Sequence, residues 1–290
     1  MFRINTLLKK AIRDIDALDA QLLLAHALRQ TREFTISHPN KRVGLIRLIQ
    51  FFWYVKKRKN GIPFPYITGT QDFYGNTFNV SPLVLIPRPA SELLVEAAKE
   101  TITDHALTGC EDILYIDIAT GSGCIPISVM KSLDTNTKKH VYVCGSDISW
   151  RALRVAKKNK TKHESRIEWL RADLFDTGIF MPIIGKHTCL IITANLPYLK
   201  KEEKKDKSIE REPNLALYGG GSDGLALYRR FFAQLEAIKT VHTGHLRIFL
   251  ECDPEQIDNL LSIIKSHLPN TRTFIQKDLA GLDRVIGVAS

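Results

Sequence analysis

The chain has 290 residues, of which 44% are hydrophobic and 25% are charged, and its formal net charge at pH 7 is +10. This composition is typical of globular proteins. No apolar run is long enough to span a bilayer and the first residues lack an apolar signal core, so we expect neither a membrane protein nor an exported one. Five cysteines without a C-x-x-C pair favour a reducing, cytoplasmic location.

The first part of the chain has the pattern of helices. Apolar residues repeat at helical spacing over 18–28, and an apolar and aromatic helix is predicted over 43–55. Thirteen of the first 80 residues are basic and five are acidic, so most of the net charge lies here. Such an excess steers a partner with an acidic surface, either protein or nucleic acid. We expect a helical, substrate-docking domain over 1–61.

From 62 to 89 the chain is rich in proline, glycine and aromatic residues, with short alternating runs. This composition and pattern predict a β-hairpin linker that packs on a surface. Arg88 lies between two prolines, which hold its backbone stiffly. A plain surface position explains Arg88 as well as a structural or substrate-binding role does.

The remainder, over 90–290, alternates strands with helices. The predicted strands cover 113–118, 140–146, a segment ending at Leu170, 188–192, 245–252, 272–276 and 284–288. The predicted helices begin at Ser91 and Cys124 and cover 149–159, 226–239 and 255–267. Such alternation predicts right-handed βαβ units and an α/β domain with a parallel sheet.

A glycine-rich turn follows the strand over 113–118 and leads into a helix. Asp117 precedes the turn, and Gly121 and Gly123 allow backbone N–H groups to approach a ligand closely. Pro126 occupies the position of the third glycine of a dinucleotide motif, which disfavours a nicotinamide cofactor.

Two later strands are also followed by acidic residues. Asp147 comes where a carboxylate can bind both ribose hydroxyls of an adenosine, and Asp173 can accept a hydrogen bond from an adenine amino group. Each of these residues alone is explained by a helix cap or a turn. Three strand ends that carry this set in order favour an adenosine site.

The stretch Asn195-Leu196-Pro197-Tyr198 follows another buried strand. Pro197 forces Leu196 into an extended conformation, so the Leu196 carbonyl is held in one direction. The Asn195 side-chain oxygen and this carbonyl are two acceptors that can converge on one NH2 group, with the Tyr198 ring as a wall. Alone, the stretch is explained as well by a strand that ends in a turn.

Together these motifs resemble the class I S-adenosylmethionine-dependent methyltransferases that methylate amino groups. Other segments resemble the family that methylates the glutamine of peptide chain release factors. These segments are 19–26, 65–69, 73–75, 85–89, 212–213, 216–217, 223–225 and 278–285. The match covers nearly the whole chain.

The resemblance implies a Rossmann-like fold, with a mostly parallel sheet and an antiparallel last strand, preceded by a small helical domain and a hairpin linker. It implies methyl transfer from S-adenosylmethionine to the side-chain amide nitrogen of the glutamine in the GGQ motif of release factors. It also implies a monomer that contacts the GGQ-containing domain, with no metal, membrane or nucleic-acid partner.

The resemblance carries over site residues at the matching positions. For the cofactor they are Asp117, Ala119, Thr120, Gly121, Ser122, Gly123, Asp147, Asp173, Leu174 and Asn195. For catalysis they are Asn195, Leu196 and Tyr198, and for substrate binding they are Asn195, Leu196, Pro197, Tyr198 and Arg88.

The chain departs from the family pattern at three positions. Leu196 replaces the first proline of the usual Asn-Pro-Pro-Tyr, Ala119 replaces a glycine, and Ser91 replaces a threonine. The Asn-Leu-Pro-Tyr sequence also resembles the ribosomal RNA adenine dimethyltransferases, and a pI of about 9.3 suits RNA. Adenine N6-methylation of ribosomal RNA is therefore the alternative, although the linker and carboxyl-terminal matches favour glutamine. A non-enzymatic adenosine-binding module is a third reading.

Overall fold

The computed structural model describes residues 2–107, 112–185, 187–201, 209–237 and 244–290. They form two compact units. One comprises residues 2–70 with 209–211, and the other comprises residues 71–201 and 212–290.

The smaller unit is built from five helices. They are α1 (Ile4–Ala11), α2 (Ala17–Leu28), α3 (Arg32–Ser37), α4 (Leu45–Lys59) and α5 (Phe64–Thr68). The side chain of Asp16 accepts a hydrogen bond from the backbone N–H of Leu18 at 2.7 Å and so caps the start of α2. The apolar sides of the helices meet in a core that includes Leu7, Leu23 and Phe51. The predicted helical part is confirmed.

A hairpin follows, made of β1 (Thr70–Phe73) and β2 (Asn76–Asn79). Its two turn residues, Tyr74 and Gly75, have φ of 48° and 67°. A turn with positive φ at both central residues matches the twist of the paired strands. The backbone N–H of Tyr74 donates to Glu92 Oε1 at 2.8 Å, which ties the hairpin to the helix that begins at Glu92.

The larger unit contains a seven-stranded sheet. Its strands are β3 (Ile113–Ile118), β4 (Val141–Asp147), β5 (Glu168–Arg171), β6 (Cys189–Ala194), β7 (His245–Glu251), β8 (Arg272–Lys277) and β9 (Asp283–Ala289). Their order is β5-β4-β3-β6-β7-β9-β8. Neighbours from β5 to β7 pair in parallel, whereas β9 runs antiparallel to both of its neighbours. The expected Rossmann-like fold with an antiparallel last strand is confirmed.

Helices cover both faces of this sheet. They are α6 (Glu92–Leu107), α7 (Cys124–Ser132), α8 (Trp150–Lys162), α9 (Thr177–Ile184), α10 (Ala226–Leu235) and α11 (Ile257–His267). Helix α9 is not among the predicted elements. It contains Pro182, and proline is unfavourable in the interior of a helix. Helix α10 confirms the start of the helix predicted over 226–239, and residues 238–239 lie outside the described part.

The strand β3 shows how the core is divided. Leu114 and Ile116 belong to one apolar cluster, while Ile113 and Tyr115 belong to the cluster on the opposite face. All six residues of β3 are buried, as expected for a parallel strand between two helical layers.

The register brings the ends of three strands together. Ile118, the last residue of β3, pairs with Ser146 of β4 on one side and with Ala194 of β6 on the other. The residues that follow these strands therefore meet at one edge of the sheet, where open α/β sheets bind ligands. None of the helices in the described ranges has both the length and the apolar character needed to cross a membrane.

Candidate active site

The larger unit contains a cavity of about 210 Å³ at the carboxyl edge of the sheet. Its lining includes most of the predicted site residues, namely Arg88, Ala119, Thr120, Gly121, Ser122, Asp147, Asp173, Leu174, Asn195 and Pro197. Asp117, Gly123, Leu196 and Tyr198 are not part of the lining.

The turn after β3 has a left-handed backbone at three positions. Ala119, Gly121 and Gly123 have φ of 56°, 55° and 77°. Glycine adopts this conformation freely, whereas a side chain costs roughly 1–2 kcal/mol there. Ala119, which replaces a glycine of the family pattern, therefore carries backbone strain. The Thr120 N–H donates to Ser146 O at 2.8 Å and anchors the turn to β4.

Asp147 is bound to the glycine turn. Its Oδ2 accepts from the backbone N–H of Gly121 at 3.0 Å, and its Oδ1 accepts from the N–H of Ser149 at 2.8 Å. Burial raises the pKa of Asp147, and these two hydrogen bonds oppose the rise. An ionised carboxylate offers about four lone-pair sites, so it retains acceptor capacity for a ligand.

Asp117 lies within β3 and is fully buried. Its Oδ1 accepts from the Thr193 hydroxyl at 2.6 Å, and the hydroxyls of Thr193 and Tyr115 are 2.9 Å apart. Its Oδ2 atom has no hydrogen-bond partner among the described residues. Burial raises the pKa of Asp117 to about 7. Thr193 was not a predicted site residue, although its place two residues before Asn195 was a usable signal.

Asp173 pairs with a residue that sequence reasoning missed. Its Oδ2 lies 2.7 Å from Nη2 of Arg230, which also lines the cavity. Both side chains are about half exposed, so the pair contributes little to stability. The neighbouring Leu174 is buried and has φ of 55°.

Arg88 is also paired. It donates to Glu212, whose other carboxylate oxygen accepts from the backbone N–H of Ile86 at 3.0 Å. The Glu212 side chain is 2% exposed and that of Arg88 is 39% exposed. Glu212 therefore holds the segment before α6 in place, and Arg88 presents the rest of its side chain to the cavity. A substrate contact by Arg88 stays a prediction.

Asn195 is oriented by two residues distant in sequence. Its Nδ2 group donates to Ser91 Oγ and to Glu251 Oε2, each at 2.9 Å. The Tyr198 hydroxyl donates to Glu251 Oε1 at 3.3 Å, and burial raises the pKa of that phenol. With both N–H groups of Asn195 engaged, its Oδ1 is the atom left to accept from a ligand. Glu251 was predicted only as part of a buried strand, although an acid at a strand end was the signal used for Asp147.

The loop before α10 and the side chain of Gln256, at the start of α11, fix the backbone of this motif. The Gln256 side chain donates to the carbonyls of Tyr198 and Asp223 at 2.8 and 2.7 Å. A Cβ atom on Gly224 would lie 2.2 Å from the Tyr198 carbonyl oxygen. Only glycine permits this approach, so the loop and the motif are packed backbone to backbone. The direction of the Leu196 carbonyl towards a substrate stays a prediction.

Comparison with solved structures supports the fold. The hMettl16 catalytic domain, solved in complex with a 3′UTR hairpin, superposes with a TM-score of 0.53 and 12% identity, over 83% of this chain and 79% of that one. At such low identity the likeness concerns the fold alone.

Comparison of sequences is more specific. The PrmC N-terminal domain family matches residues 3–69. A release factor glutamine methyltransferase of Clostridium acetobutylicum is 34% identical over 92% of this chain and 89% of its own length. One from Clostridium botulinum is 33% identical, over 96% and 94%. With relatives of this identity along nearly its whole length, the chain belongs to the release factor glutamine methyltransferase family.

Proposed function

We propose that this protein transfers a methyl group from S-adenosylmethionine to the side-chain amide nitrogen of the glutamine in the GGQ motif of peptide chain release factors. Membership of the family supports the reaction. The observation that carries it in the site is the fixed amide of Asn195. Because Ser91 and Glu251 take its two N–H groups, its Oδ1 atom is left to accept from a substrate NH2 group.

The cavity fits an adenosyl group that bears a cationic sulfur. Asp147 has acceptor sites left for ribose hydroxyls, and Leu174 offers an apolar wall for a base. The unpaired Oδ2 of Asp117 is a buried acceptor, and a buried carboxylate ionises more readily near a cation. We assign cofactor binding to these residues and to the turn from Ala119 to Gly123, with Asp173 beside Leu174. S-adenosylmethionine, when bound, supplies a methyl group already activated by the positive sulfur.

The remaining difficulty lies with the acceptor, because the lone pair of an amide nitrogen is delocalised into its carbonyl. A carboxamide NH2 has two donors, which Asn195 Oδ1 and the Leu196 carbonyl would accept. Binding both donors fixes the plane of the amide and leaves a face of the nitrogen open. Positioning of this kind supplies roughly 7–11 kcal/mol in favourable cases.

The bond changes then balance without a strong base. The substrate nitrogen forms a bond to the methyl carbon as the bond from that carbon to sulfur breaks, and the sulfur keeps the electron pair. The methylated nitrogen is positively charged and releases one proton to water. The Tyr198 ring acts as a wall beside the amide.

We assign the docking of the release factor to the helical domain over 1–61, joined by the linker over 62–89 to the methyltransferase domain over 90–290. The basic excess of the first 80 residues would steer an acidic partner surface to this part. A release factor as substrate also implies a cytoplasmic enzyme, which we take to be a monomer.

Labelled S-adenosylmethionine, purified release factors and peptide mapping test the proposal. Label should appear on the GGQ glutamine and vanish when that glutamine is changed to alanine. Small-subunit ribosomal RNA serves as the competing substrate, because the Leu196 motif and the basic charge suit it. Label on RNA adenines, with none on release factors, would establish the alternative.

A further inference from the structure

We propose that Glu251 is a positioning residue that decides which end of the Asn195 side-chain amide faces the substrate. The inference rests on the proposed function, since it concerns the group that accepts from the substrate amide. Three side chains donate to the Glu251 carboxylate: the Ser91 hydroxyl at 2.5 Å, Asn195 Nδ2 at 2.9 Å and the Tyr198 hydroxyl at 3.3 Å.

The two ends of an asparagine amide have nearly the same shape but opposite hydrogen-bonding roles. If the Asn195 amide turned over, its Oδ1 would face Glu251 Oε2, and two acceptors would meet without a proton between them. Its NH2 group would then face the substrate NH2, and the two groups of donors would repel each other. Only the observed orientation, with Nδ2 on Glu251, offers an acceptor to the substrate.

The carboxylate is held rigidly enough to impose this choice. Glu251 is the last residue of β7, is 1% exposed, and pairs in register with Val285 of β9. The Tyr228 hydroxyl donates to its backbone carbonyl. A buried side chain on a central strand, fixed at backbone and carboxylate, has little freedom to follow a misplaced Asn195.

Polar neighbours favour the ionised form of this carboxylate, whereas its burial opposes it. Burial raises the pKa of Glu251, while the hydrogen bonds from Ser91, Tyr198 and Asn195 and the charge of Arg284 lower it. A carboxylate that accepts from Asn195 makes the amide Oδ1 a stronger acceptor.

The test compares Glu251→Gln with Glu255→Gln, a matched change at an exposed position four residues on. A glutamine at 251 keeps the shape but can present its own NH2 to Asn195, so the amide is free to turn over. We expect kcat to fall roughly 100-fold, as for a misplaced catalytic contact. The affinity for S-adenosylmethionine and the melting temperature should change little, and Glu255→Gln should match the unaltered protein. An unchanged kcat for Glu251→Gln, or a parallel loss of donor affinity and stability, would overturn the proposal.

A double change separates positioning from an independent role. In an Asn195→Ala background, Glu251→Gln should cause no further loss in single-turnover rate, because the group through which Glu251 acts is gone. Additive losses would contradict the proposal.

A third measurement does not depend on the substrate. In protein labelled with 15N-asparagine, the side-chain amide signals of Asn195 are those that vanish in Asn195→Ala. Glu251→Gln should move them upfield, since they lose a charged acceptor, and Glu255→Gln should not. If the unaltered enzyme labels no release factor, the proposed function fails, but this shift still decides the role of Glu251. Unmoved Asn195 signals would refute it.

Discussion

The Oδ2 atom of Asp147 accepts a hydrogen bond from the backbone N–H of Gly121 at 3.0 Å. This contact joins the end of β4 to the glycine turn after β3, and both line the same cavity. The carboxylate thus fixes the turn while it keeps acceptor sites for a ligand.

Asp147→Ala should therefore weaken the binding of S-adenosylmethionine. A hydrogen bond to a charged acceptor is worth roughly 1.5–3 kcal/mol, so the loss of one or two corresponds to at least a tenfold rise in Kd. Isothermal titration calorimetry measures this, with the exposed Asp258→Ala as control. Unchanged affinity in a folded Asp147→Ala protein would remove Asp147 from the cofactor site.

Asn195→Ala should bind the donor almost normally and lose most of its turnover. The change removes an acceptor for the substrate, so kcat should fall roughly 100-fold, as for a misplaced catalytic contact.

Tyr198→Phe should be tolerated far better than Tyr198→Ala, because the ring forms a wall and the hydroxyl makes only a long contact of 3.3 Å to Glu251. Steady-state kinetics with a release factor measure all three variants, and equal losses for the two Tyr198 changes would argue against the wall.

Asn195→Asp should make stability depend on pH. The new carboxylate would lie beside Glu251, where Asn195 Nδ2 is now 2.9 Å from Oε2. Two close carboxylates raise the pKa of the pair above its unfolded value. The unfolding free energy of Asn195→Asp, relative to Asn195→Ala, should therefore be highest in acid and fall as pH rises through the folded pKa. Urea denaturation at several pH values shows this, and a difference that is independent of pH would contradict the close contact.

Gly224→Ala should damage the site more than Gly281→Ala does. The two glycines have nearly the same φ, 78° and 79°, so the backbone strain of an alanine is matched. A Cβ on Gly224 would lie 2.2 Å from the Tyr198 carbonyl oxygen, whereas nothing lies within 4 Å of one on Gly281. Overpacking should make Gly224→Ala about 1–3 kcal/mol less stable than Gly281→Ala. We also expect kcat to fall in Gly224→Ala and not in Gly281→Ala. Thermal unfolding and kinetics of both variants measure it, and equal effects would exclude a role for this contact.

Asp117 should make the unliganded protein less stable as pH rises. Burial raises its folded pKa to about 7, whereas an unfolded aspartate has a pKa of about 3.9. Between these values the folded protein keeps a proton that the unfolded chain has released, so the unfolding free energy falls with increasing pH. For one titrating group, the unfolding free energy falls by at most about 1.4 kcal/mol per pH unit.

An asparagine at position 117 cannot titrate, so Asp117→Asn should lack the part of the pH dependence of stability that Asp117 contributes. Its amide oxygen can still accept from Thr193. Urea denaturation over this pH range compares the two proteins, with Asp258→Asn as the control for an exposed carboxylate. Identical slopes for Asp117→Asn and the unaltered chain would show that Asp117 is ionised in the folded state.

Much of the fold follows from local patterns in the sequence. The run from Ile113 to Ile118 is apolar enough to be buried on both faces, and the glycines after it mark a turn into a helix. Both signals are local, because burial and positive φ are properties of a few consecutive residues. The same holds for the hairpin predicted between 62 and 89, and for the segments that resemble one methyltransferase family.

Helix α9 shows where local signals end. Pro182 lies inside it, and its apolar residues Phe180 and Ile184 are fully buried against the sheet. Packing in that cluster outweighs the unfavourable propensity of proline for a helix interior.

The partners of the site residues were decided by the tertiary structure alone. Asn195 and Glu251 are 56 residues apart, and they meet because β7 lies beside β6 in the sheet. Ser91 comes from a segment more than 100 residues before Asn195. The residue pattern of a strand indicates whether the strand is buried, but the order of the strands depends on the connections and packing of the whole domain. For this reason the sequence predicted Asn195 as an acceptor, while only the folded chain showed which residues hold its amide in that orientation.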